Sequence, residues 1–203
     1  MKLQHSTAHD VQSGLQSDLQ PNLHPVLALY FSSRGPIHLP AIHIRLHGLE
    51  PGDDDISIRL DHIAGLETDP RQLAGCSFAF PVNPVDGYID GSVYLQGRHH
   101  AVDVTTLHFG MQQGLQIPLE VTGHILLEGE PQALAFSFSV PLQLPLDQVA
   151  VRALLEAGVH ATNASTPKDM GRLMVYLKQH VHYEEQIAEV ATLAKARLSA
   201  THK

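Results

Sequence analysis

Fifteen histidines and a single cysteine stand in a chain of 203 residues. The densest group that can do chemistry is His99-His100-Ala101-Val102-Asp103, with Asp90 on the segment before it. A carboxylate beside an imidazole orients the ring and favours its protonated form, which suits a general base or a metal ligand. His100, Asp103 and Asp90 are therefore the candidate catalytic residues, and His100 with Asp103 the candidate metal ligands. Adjacent His99 and His100 point to opposite faces of a strand, so only one of them joins Asp103. His43 and His47 share a face but stand roughly 13 Å apart along a strand, too far for one ion. Asp86-Gly87 and Asp90-Gly91 read as turn or bulge steps, because glycine accepts positive φ. Asp53-Asp54-Asp55 reads as a solvated loop tip. Cys76, in Gly75-Cys76-Ser77-Phe78, is expected to be a small half-buried residue; with no second cysteine it forms no internal disulfide. The chain has no phosphate-binding glycine loop, dinucleotide fingerprint, nucleophile elbow or zincin helix, and no cofactor is expected.

These residues must be held by strands. From Ile37 to Leu144 apolar and polar residues alternate, as in Ile56-Ser57-Ile58-Arg59-Leu60-Asp61. That period puts one face of a sheet in the core and the other in water. The pattern predicts strands over His24–Ser32, Ile37–Leu46, Ile56–Ile63, Tyr88–Leu95, Arg98–Phe109 and Leu115–Leu127. Phe78, Phe80 and Val82 make a further run, and Leu134 through Leu142 the last. Turn signals separate them: Arg34-Gly35-Pro36, Glu50 to Asp55, Gln96-Gly97 and Glu128 to Pro131. The connections are too short for helical crossovers, so the expected fold is mainly β: an antiparallel β-sandwich or open barrel of about seven or eight strands, followed by a C-terminal helical segment.

After Pro145 the period changes. Asp147 is placed to cap a helix ending near Gly158. Thr166-Pro167-Lys168-Asp169 supplies a cap hydroxyl, a first-turn proline and an acid. Met170, Leu173, Met174, Leu177 and Val181 then recur at helical spacing. This stripe needs a partner, either the sheet or a second copy of the chain, and is the candidate interaction surface. The helix runs to about residue 200 or breaks near His180–Glu185. The chain divides into an N-terminal arm (1–23), a β-domain (24–144) and a helical segment (145–203).

The stretch Ser165-Thr166-Pro167-Lys168-Asp169-Met170-Gly171-Arg172-Leu173-Met174 resembles the Lys-Asp-Met-Gly-Lys-Val-Met element of the C-terminal helical domain of the GatB/YqeY family. The resemblance implies a helical domain associated with amidotransferases and tRNA. The glycine-rich basic ending of that family is missing; Gln179–Lys203 is another helical stretch carrying Glu184, Glu185 and Glu189.

Charge narrows the partners. Residues 1–150 hold 6 Lys and Arg against 16 Asp and Glu, a formal −10, whereas residues 151–203 hold 7 against 5, a formal +2. Phosphate binding needs a basic footprint, so no DNA and no membrane partner is expected of the β-domain. No apolar run approaches the roughly 20 residues of a membrane-spanning helix. The first 23 residues lack a signal-peptide pattern, which points to the cytoplasm. The leading functional expectation is a non-enzymatic binding module that meets a protein partner or dimerises through its helical stripe. The alternative is a metal-assisted or acid–base hydrolase using His100, Asp103 and Asp90. A third is an RNA-associated module acting through the tail.

Overall fold

The structure, a computed structural model, describes residues 23–34, 38–47, 56–95, 97–127 and 132–200. The arm before residue 23, the Gly35-Pro36 turn and the loop tips at Glu50–Asp55 and Glu128–Pro131 lie outside the described residues. The chain forms two compact units, residues 1–142 and 143–203.

In the first unit the alternating segments form one sheet of β1 (Pro25–Arg34), β2 (Leu39–Leu46), β3 (Ser57–Asp61), β4 (Ser77–Ala79), β5 (Asp90–Leu95), β6 (Arg98–Phe109), β7 (Gln116–Leu126) and β8 (Leu134–Gln143). Strand order is β4-β6-β5-β3-β2-β1-β8-β7, and β6 also pairs with β7. That last pairing joins the ends: seven strands close into a barrel, with β4 attached to β6 beside β5. A barrel removes the sheet edges that an open sandwich leaves.

The sequence period dictates which side chains go inside. Ile42, Ile44, Ile58, Leu60, Val93, Val102, Val104, Ile117, Leu119, Val121 and Ile125 are each at most 1% exposed, and they fill the barrel. The alternation on β6 slips at a bulge between Val104 and Thr106, after which Leu107 and Phe109 take the inward positions. At Gly91 and Gly123 the wall has no room: a Cβ would lie 2.2 Å from the Val102 carbonyl oxygen at the first, and 2.3 Å from the Asp103 carbonyl oxygen and 2.9 Å from the Phe136 ring at the second.

The long β3–β5 connection buries Ile63, Leu66, Leu73 and Ile89. Within it, a 3₁₀ turn at Pro70–Leu73 is capped by Asp69, which accepts from the Arg71 N–H at 3.0 Å. The Tyr30 hydroxyl ties the connection to β1 by donating to the Glu67 carbonyl. Burial, with the Glu67 charge adding to it, pushes the Tyr30 phenol well above its ordinary pKa. The run expected through Val82 stops at Ala79. Phe80 still donates to the Thr105 carbonyl at 3.0 Å, but Pro81 has no N–H with which to continue the ladder.

The second unit consists of α1 (Gln148–Thr162), α2 (Met170–His180) and α3 (Glu184–Ala200). Asp147 caps α1 by accepting from the Ala150 N–H at 2.7 Å. Gly158 does not end α1. It lies inside the helix where α2 crosses closely, and a Cβ there would come 2.9 Å from both Leu173 and Tyr176. The helix ends at Asn163, in the left-handed region at φ 49°. After residue 166 the chain makes two helices rather than one, broken where Val181 turns extended. Tyr183 donates to the Gln143 carbonyl. The Gln186 carboxamide clamps Leu146, accepting from its N–H at 3.0 Å and donating to its C=O at 2.7 Å.

Candidate functional site

The barrel wall separates the residues that the sequence groups together. His100 is 7% exposed and pairs with Val93, on the face that points inward. Its ring joins a belt that runs Ala28, Ile44, Ile58, Val93, His100 across five strands. Asp103 is three residues further along β6 and so faces outward. It is 9% exposed and accepts from the Asn83 N–H at 3.3 Å. Asp90 also faces outward, beside Asp61, its direct partner on β3. The three side chains therefore do not converge on one site. Among the described residues no three His, Cys, Asp or Glu side chains are grouped so as to hold a metal ion.

The aspartates do take part in histidine pairs on the outer wall. His43 Nε2 stands 3.8 Å from Asp61, and His62 Nδ1 stands 3.6 Å from Asp90. His43 also packs on the Phe31 ring, with centroids 4.8 Å apart. Asp103 is the in-register partner of His124. Cys76 is half-buried, its Sγ 3.7 Å from the Gln72 carbonyl.

Within the helical unit, Leu173, Leu177 and Val181 are at most 4% exposed and form one core with Val151, Leu155, Val190, Ala194 and Leu198. Met170 and Met174 pack against it half-buried. The stripe expected to meet the sheet or another copy is thus occupied by α1 and α3, because three short amphipathic helices bury their apolar faces against each other.

Two features of the outer wall were not singled out in the sequence. The first is a recess of about 270 Å³ lined by Gln113, Gln116, Pro118, Ser139, Val140 and Pro141. It lies along the start of β7 and the end of β8, and no charged side chain lines it. The second is a hydrogen bond of 2.6 Å between Ser77 Oγ and His108 Nδ1. These residues are direct partners on β4 and β6, and His108 is in turn the partner of Glu120 on β7. The alternating period marks all three as outward-facing, but only strand order makes them neighbours.

No helix among the described residues is long and apolar enough to cross a membrane. No known protein family, characterised protein or solved structure matches the chain.

Proposed function

We propose that the chain is a binding module that holds an uncharged, extended peptide segment of a protein partner in the β7–β8 recess. The observation that carries this is the place of the recess: it lies on the outer wall, while packed apolar side chains fill the interior. Gln113 and Gln116 bring carboxamides and Ser139 a hydroxyl, all able to donate and accept, and Pro118 and Pro141 supply apolar walls. A peptide backbone asks for that alternation of hydrogen bonds and van der Waals contact. At about 270 Å³ the recess takes a few residues rather than a large cofactor. The split of His100 from Asp103 and Asp90 leaves the acid–base alternative without a shared site. The lone cysteine fits a reducing compartment such as the cytoplasm.

Displayed peptides selected on the full chain test the reading. Ser139→Arg fills the recess from an exposed position, and selected peptides are expected to lose at least about tenfold in affinity to it. Equal binding to Ser139→Arg, with its circular dichroism unchanged, would place the ligand elsewhere.

A further inference from the structure

We propose that Ser77 and His108 form a nucleophile–base pair that accepts an acyl group from a small uncharged ester. This goes beyond the binding reading: it uses the uncharged lining of the recess but not the peptide proposed to occupy it. The local ladder explains the contact. Phe109 donates to the Cys76 carbonyl at 2.8 Å and Phe80 to the Thr105 carbonyl at 3.0 Å, so Ser77 and His108 sit between those bonds at a non-hydrogen-bonded position. Side chains approach most closely at such positions. Ser77 Oγ and His108 Nδ1 are 2.6 Å apart, well within hydroxyl hydrogen-bond range. With the ring proton on Nε2, Ser77 donates to Nδ1, the arrangement in which an imidazole takes up a hydroxyl proton.

Three neighbours complete the geometry. β4 is bonded in the sheet only to β6, so at this position the Ser77 N–H points to the open edge, where it can donate to a developing oxyanion. Glu120 stands directly opposite His108 on β7, on the side away from Ser77. Gly110 donates to the Pro118 carbonyl at 2.7 Å, which puts this wall of the recess two residues beyond His108, about 7 Å along the strand. The uncharged lining of the recess sets the substrate class.

In the reaction Ser77 Oγ attacks the ester carbonyl as its proton passes to Nδ1. The tetrahedral adduct collapses, and the departing alcohol takes that proton from His108. Water, giving a proton to the same nitrogen, then attacks the acyl-serine. The proton returns to Ser77 Oγ as the carboxylic acid leaves.

The probe is p-nitrophenyl acetate with the full chain, read by nitrophenolate release and by peptide mass mapping. The expected result is an acetyl group on Ser77. Ser77→Ala and His108→Gln should each slow release on the order of 10²-fold. Ser77→Cys should restore an adduct at position 77, whereas Cys76→Ser and His99→Gln should match the unsubstituted chain. Unmodified Ser77 in the unsubstituted chain, or Ser77→Ala releasing nitrophenolate at the full rate, would overturn the proposal.

Discussion

Asp169 shows how much one side chain can do when its partners are close in sequence. Its carboxylate accepts from the Ser165 N–H at 3.1 Å, the Thr166 N–H at 2.9 Å and the Thr166 hydroxyl at 3.0 Å, and pairs with Arg172 at 2.6 Å. These bonds, the backbone ones foremost, hold its pKa far below the usual carboxylate range. In the unfolded chain the group has a pKa of about 3.9. A depressed folded value contributes stability that is fully present above the unfolded pKa and lost as pH falls through the folded one. Carbon NMR is therefore expected to show Asp169 still ionised at about pH 3. In Asp169→Asn the helical unit should lose less stability between about pH 5 and pH 2, because the titrating group is gone. A mid-range Asp169 titration would remove the cap from the acid response. This motif was readable as Thr166-Pro167-Lys168-Asp169 because all its bonds span a few residues. The Ser77–His108 contact spans 31 residues, and no local pattern announces it.

The helices show what period leaves undecided. Met170, Leu173, Met174, Leu177 and Val181 describe an apolar face correctly, but the occupant of that face depends on how the chain turns at Asn163 and at Val181. With α1 and α3 folded back onto α2, Leu173 is 0% exposed. Leu173→Ala is expected to destabilise the helical unit by roughly 2–5 kcal/mol, the cost of emptying a buried leucine site. Far-ultraviolet circular dichroism in urea measures this, and native mass spectrometry should show the same assembly state for both forms. A change of assembly without loss of stability would return the stripe to an interface. Gly158 teaches a related lesson. Glycine near a period change reads as a stop, yet here it is a contact, since only a hydrogen fits between α1 and Leu173.

The whole chain is two cores in series. Barrel and helices each bury their own apolar residues, and the division falls between Leu142 and Gln143. A fragment of residues 143–203 is expected to be helical and to melt cooperatively, because its nine-residue core is drawn entirely from its own helices and the turns between them. Circular dichroism of the purified fragment checks this; a random-coil spectrum would mean that the helices require the barrel. By itself the sequence determined the mainly β class, the near positions of most strands, the N-terminal cap of α1, the capped Thr166–Asp169 turn that leads into α2 and the change to helix, since each follows from the period or from bonds within a few residues. Tertiary structure alone decided that the sheet closes and that His100 and Asp103 fall on opposite sides of its wall. It also decided that Ser77, His108 and Glu120 stand in a row and that the helical stripe is buried at home. Those outcomes depend on which strands and helices become neighbours, and packing across long sequence separations selects them, which no local pattern encodes.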